Sequence, residues 1–254
     1  MMPAMRRGRL VAVALVVAAA CASAGKDGGG GHNPDARSPD AAIDSSGGGG
    51  TDSSMNIDAP MADAAPVAVT LTQVTNGTNI GSASSVTCGN NIDGTSAENS
   101  WYRVFKLTDD GIVGGFHVTA VTFGVQEATG SPQVQVKIGT YSGNITPPPA
   151  QLDTSLVTPI TAQSFNVPNT VATAATTVTV PISANVPALS QLIVEVFSPD
   201  MLGTSKYFYL GGNANGESKP SWLRAPGCSQ PQPKTTASLG FPNSHLVITV
   251  SGTK

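Results

Sequence analysis

Three histidines, three cysteines and a sparse set of acids are the groups in this chain with reactive side chains. His32 lies among Gly and Asp residues. His117 and His245 each sit among alternating apolar residues, where a lone histidine is a packed or surface residue of a strand. The spacings that organise catalysis are missing. There is no Gly-x-Ser-x-Gly to expose a nucleophile, no His-Glu-x-x-His to hold zinc, no phosphate-cradling Walker loop and no Cys-x-x-Cys. Asp109-Asp110 runs into Gly111 and reads as a turn, and glycoside hydrolysis needs a second acid facing the first across a cleft. Glu195 stands between Val194 and Val196 on the polar side of a strand. No catalytic residue, cofactor or metal ligand is assigned.

The residues suited to recognition are concentrated in the block Tyr207–Cys228. Trp222 and Arg224 share a face if that stretch is extended, and they offer an apolar ring beside a fork of donors. Asn213, Asn215 and Glu217 place oxygens at alternate positions around Gly216. A calcium loop uses such spacing but is richer in Asp, so the segment reads as an Asn/Gly turn. These five residues are the candidate ligand-binding set, suited to stacking on and hydrogen bonding to a glycan. The competing reading packs Trp222 over the cysteine near it. Trp101 shares a face with Phe105 and Leu107 and belongs to the core.

The elements that must position these groups are strands. Val134, Val136 and Ile138 alternate with Gln133, Gln135 and Lys137. Val178/Val180/Ile182, Val121/Phe123/Val125 and Leu246/Ile248/Val250 repeat the pattern, the mark of half-buried strands. The spacing predicts nine strands: 67–74, 99–107, 116–127, 133–141, 152–165, 176–183, 191–198, 207–210 and 245–251. No stretch of ten residues carries helical periodicity with a cap. Only 11% of residues are charged, while 28 Gly and 19 Pro punctuate Thr/Val-rich runs. That composition excludes a coiled coil and predicts an all-β, two-sheet antiparallel β-sandwich, jelly-roll-like, over residues 67–254. The last strand is expected beside the first. The domain carries eight basic and nine acidic residues, so it offers no basic patch to nucleic acid.

Before the domain, Arg6, Arg7 and Arg9 precede an apolar run from Leu10 to Ala20. Eleven residues are too few to span a bilayer but fit a signal-peptide core, giving a signal peptide over residues 1–20. Ala18-Ala19-Ala20-Cys21 resembles a bacterial lipobox, in which the Cys21 thiol is lipidated and becomes the new N-terminus. Ala22-Ser23-Ala24 is the competing site, for an ordinary signal peptidase. Residues 21–66 hold no Phe, Trp or Tyr, but they hold two runs of four glycines, 28–31 and 47–50, and repeated Pro-Asp-Ala units. Such a segment cannot offset its chain entropy by burial and reads as a disordered linker. Its seven Asp against Lys26 and Arg37 leave −5, and self-repulsion extends it to a root-mean-square span of roughly 35–40 Å. With Cys21 lipidated, Cys88 and Cys228 remain as an even pair in an oxidising compartment, which favours a disulfide between them.

Three blocks, Glu98–Phe105, Tyr207–Cys228 and Gly240–His245, together with the paired cysteines, resemble an uncharacterised secreted bacterial β-sandwich module. It is found in myxobacterial-type lipoproteins with Asp/Ala/Pro/Gly tethers. The resemblance covers residues 87–252 and implies no catalytic residue. The resulting expectation is a lipoprotein anchored in a membrane, the outer membrane because Ala22 is not an inner-membrane retention Asp, facing the periplasm or the cell surface. Its sandwich would recognise a glycan or another envelope or surface protein without catalysis. The rival readings are a small extracellular hydrolase and a purely structural envelope module.

Overall fold

A computed structural model of the chain describes residues 65–90 and 94–254. The signal peptide, Cys21 and nearly all of the linker lie outside the described residues. Among the described residues twelve strands alternate with turns: β1 Ala68–Leu71, β2 Asn99–Lys106, β3 Phe116–Thr129, β4 Gln133–Tyr141, β5 Val157–Asn166, β6 Thr176–Val186, β7 Gln191–Ser198, β8 Tyr207–Asn213, β9 Trp222–Ala225, β10 Gln230–Thr235, β11 His245–Leu246 and β12 Ile248–Thr253. They form two antiparallel sheets. The first runs β1-β12-β3-β8-β11, with β6 paired to β3; the second runs β10-β9-β2-β7-β4-β5. The expected all-β sandwich is thus present. Among the described residues no helix is long and apolar enough to cross a membrane.

The alternating patterns point where the periodicity requires. Val134, Val136 and Ile138 of β4, Val121, Phe123 and Val125 of β3, and Ile248 and Val250 of β12 meet in one core between the sheets. Phe208 anchors it with edge-to-face contacts to Trp101 at 5.5 Å and Phe123 at 5.9 Å. The first and last strands do pair, Ala68 opposite Thr253 through Leu71 opposite Val250.

Several expected boundaries move. The fifth strand begins at Val157, because Asp153 caps a 3-10 turn by accepting from Ser155 N at 3.0 Å and Ser155 Oγ at 2.7 Å. The first strand ends at Leu71, and Gln73 turns aside so that its Nε2 donates to the Val104 carbonyl at 2.7 Å. The stretch 245–251 divides at Val247, since β11 pairs with β8 while β12 pairs with β3. Strands β9 and β10 were not expected, and β9 supplies both Trp222 and Arg224 to the second sheet.

Sheet two is buried on both faces at its centre. Every residue of β2 from Asn99 to Phe105 is buried. Inward lie Trp101 and Phe105; outward, Tyr102 and Val104 join Tyr141, Ile145, Leu152, Ile193 and Trp222 in a second apolar cluster. Residues 142–156 fold over this outer face. Their backbone is tied to β10 by Leu152 N to Pro233 O and Thr235 N to Ala150 O, each 2.9 Å.

Candidate functional site

Alternation on β2 aims Arg103 into the interior between Trp101 and Phe105, and its side chain has no solvent exposure. A buried guanidinium persists only where its donors and its charge are both met. Arg103 Nε donates to the Leu246 carbonyl at 3.1 Å, Nη2 to the same carbonyl at 2.6 Å and Nη1 to the Lys219 carbonyl at 2.8 Å. Its charge is met by Glu217, whose Oε2 lies 2.9 Å from Nη2. Burial pushes the Arg103 pKa down and Glu217 holds it up. A guanidinium under these conditions stays protonated.

Glu217 has two further neighbours. His245 Nδ1 lies 3.4 Å from Oε1, and Ser221 Oγ lies 3.5 Å from Oε2. An acid, a histidine and a serine together raise the question of acyl transfer. In that chemistry the serine hydroxyl must meet the imidazole, and the acid must orient the imidazole from its other side. Here Ser221 Oγ faces the carboxylate and the Leu246 N–H, both at 3.5 Å. Ser221 has no exposure to bring to a substrate, and the carboxylate is neutralised by Arg103. His245 Nδ1 is buried and completes no hydrogen bond. The cluster therefore reads as an ion-paired clamp. It locks the turn between β8 and β9 and the start of β11 onto the centre of β2. His117 lies elsewhere, on the outer face of sheet one, with Nδ1 2.8 Å from Asn185 Oδ1.

The five residues expected to form a recognition face do not converge. Trp222 is 1% exposed, packed in the outer cluster beneath residues 142–156, and its Nε1 donates to the Pro149 carbonyl at 3.0 Å. Its ring is not offered to a ligand, and it does not cover the disulfide either. The burying segment is remote in sequence, so the local pattern does not report which surface the ring packs against. Arg224 does share Trp222's side of β9, but Nη1 pairs with Glu98 Oε1 at 2.6 Å and Nε donates to Pro231 O at 3.2 Å. Glu217 serves the opposite, inner side through Arg103. Asn213 is buried: Nδ2 donates toward the carbonyls of Thr75, Asn76 and Asn79 at 3.3, 3.1 and 3.1 Å. Its Oδ1 accepts from Asn215 N at 3.0 Å, which fixes the amide orientation. Asn213 thus pins the 75–79 turn. Asn215 is exposed. Among the described residues no group of three or more His, Cys, Asp or Glu side chains is placed to hold a metal ion.

Cys88 and Cys228 are bonded, with Cα atoms 5.8 Å apart, across a sequence separation of 140. That spacing is normal for a disulfide. Asn99 fastens the Cys88 end, accepting from Cys88 N at 2.8 Å and donating to Cys88 O at 2.9 Å and Ala97 O at 2.8 Å. Arg103 and Asn99 escaped the sequence reading, although the signal was present. Trp101, Arg103 and Phe105 have the same parity, so an inward Trp and Phe require an inward Arg.

No protein-family model matches the chain, and no curated protein does. Among solved structures, it is similar to the cysteine protease and lectin-like domains of Cwp84, a surface layer associated protein of Clostridium difficile. The identity is 11% and the TM-score 0.42, over 63% of this chain and 33% of that one. The chain thus spans about a third of the length of that structure.

Proposed function

We propose that this chain is a surface-tethered lipoprotein whose β-sandwich is a non-catalytic recognition module for a glycan or another envelope protein. The observation that carries the reading is the Cys88–Cys228 disulfide in a small, nearly neutral sandwich. Such bonds persist in oxidising compartments outside the cytoplasm, the destination expected from Arg6 to Ala20 and from Cys21. The non-catalytic part is supported by how the polar groups are spent. Glu217 neutralises Arg103, Asn213 pins a turn and Arg224 pairs with Glu98. These contacts commit those polar groups to holding the fold together.

The hydrolase reading has one observation in its favour, the proximity of His245 and Ser221 to Glu217. Assaying the full-length protein against ester and peptide substrates, beside Ser221→Ala, separates the two. Turnover lost on Ser221→Ala with folding intact would overturn the binding reading. For the binding reading itself, the test is a glycan and envelope-polymer screen of the full-length protein, with retention of at least one polymer expected.

A further inference from the structure

Strand β8 carries an aromatic pair that the clamp does not use. Tyr207 and Tyr209 alternate with buried Phe208 and Leu210, so both rings leave the outer face of sheet one, half-buried. Their centroids are 5.1 Å apart with 27° between planes, an offset stack. Both hydroxyls are tethered: Tyr207 Oη donates to Glu127 Oε1 at 2.6 Å, and Tyr209 Oη donates to the Gly94 carbonyl at 2.7 Å. Behind them, Phe208 is clamped between Trp101 and Phe123. The rings are held by the core beneath and by their hydroxyls at the margin, which is the pre-organisation a binding surface needs.

The margin is polar. Register places Glu127 opposite Tyr209 and Thr129 opposite Tyr207 on β3. Thr129 and Lys206 are exposed, and the Lys206 stem lies against Gly130, next to Thr129. An aromatic pair with a carboxylate at its margin and an exposed hydroxyl and an exposed lysine on the neighbouring residues suits one chemistry above others. A sugar ring offers C–H groups on its faces and hydroxyls, both donors and acceptors, on its rim. Anionic ligands meet Glu127 and cationic ones meet Lys206, whereas a neutral polyhydroxyl ligand uses both.

We propose that Tyr207 and Tyr209, with Glu127, Thr129 and Lys206 at their margin, form a platform that binds a neutral oligosaccharide. The proposal rests on the recognition reading above and gives it a site on sheet one, away from Trp222 and Arg224.

The test uses the full-length protein in a polyoxyethylene detergent, so that neither a detergent sugar nor a detergent cation competes. Cellohexaose, xylohexaose, mannohexaose and chitohexaose are titrated by calorimetry, with choline chloride as the cationic alternative. At least one hexasaccharide binds the wild type. Tyr207→Leu and Tyr209→Leu keep an apolar, strand-compatible side chain and weaken that binding by about tenfold or more in protein that is still folded, with the melting temperature lowered only by the lost stack and hydrogen bond. Tyr207→Phe and Tyr209→Phe keep the rings and lose less than about threefold. Folded Leu variants that bind a hexasaccharide as the wild type does would sink the platform and leave the recognition reading standing. No hexasaccharide bound, or choline bound in its place, overturns the proposal. If in addition no polymer is retained in the wider screen, the recognition reading falls as well. Where a Leu variant does not fold, NMR saturation transfer from the tyrosine rings to the sugar decides. It should vanish when the tyrosines are ring-deuterated, and its absence in unlabelled protein overturns the proposal.

Discussion

Removing the Glu217 carboxylate should damage this domain more than any exposed charge would. In Glu217→Ala, Arg103 keeps its three bonds to the Leu246 and Lys219 carbonyls but loses its counter-charge, in a site with no solvent exposure. At an effective dielectric of about 20, unit charges about 4 Å apart attract by about 4 kcal/mol. Breaking a buried pair from one side costs about 3–5 kcal/mol. Glu217 is itself 15% exposed, which argues for the lower part of that range. Over a domain of this size each kcal/mol moves the midpoint by about 2–4 °C, so Tm should fall by about 6–12 °C. Arg103→Met leaves the Leu246 and Lys219 carbonyls unpaired, at about 1–3 kcal/mol each, and leaves Glu217 without its cation. Arg103→Met/Glu217→Ala removes both charges at once and should cost less than the two single losses added, by about 2 kcal/mol or more. Urea unfolding of the four proteins under one buffer measures this. Additivity within about 0.5 kcal/mol would show that the two side chains are not one unit, and the clamp reading would fail.

Three further outcomes follow from the same structure. Trp222→Ala empties a covered cavity between Tyr102, Val104, Tyr141 and Leu152 and should cost about 3–5 kcal/mol; a loss under about 1 kcal/mol by urea unfolding would contradict its burial. Cys88→Ala/Cys228→Ala opens a loop for which the chain-entropy estimate is about 5 kcal/mol, reduced to about 2–4 by native strain and residual structure. Such a domain is expected still to fold, and non-reducing mass mapping of the wild type should recover the linked peptides. Cys21→Ser should abolish fatty-acid labelling and move the protein out of the membrane fraction, because stable anchoring takes two or more acyl chains; an unlabelled wild type beginning at Gly25 would favour release by an ordinary signal peptidase.

What was legible in the sequence is what depends on neighbours close along the chain. Period-2 alternation located the inward faces of β3, β4, β6 and β12, because a side chain's face is set by its own strand. Strand β10 was hidden because Gln230-Pro231-Gln232-Pro233 reads as a breaker. An edge strand tolerates such prolines, since its outer side takes only short pairing with residues 150–152, where Pro233 is needed as an acceptor and not as a donor. Trp222 is buried, as the packing alternative has it, but under residues 142–156 and not over the disulfide. Whether the outer face of β9 meets water depends on residues 142–156 folding over it, and nothing near Trp222 reports that.

Arg103 is the opposite case, written in the local pattern and still easy to pass over. A charge inside a Trp-x-Arg-x-Phe alternation contradicts the binary pattern of a core strand. Such a contradiction is tolerable only if a partner is supplied from elsewhere. Glu217 is that partner, and it lies in the block that offered candidate ligand-binding residues because it is rich in Asn and Gly. The same composition serves both purposes, since a turn that must satisfy a buried arginine and pin a second turn needs acceptors and compact backbone just as a binding loop does. The polar loop residues are thereby drawn into the architecture. The platform proposed above accordingly lies outside that block's loop, on the outer face of sheet one, where Tyr207 and Tyr209 are half-buried.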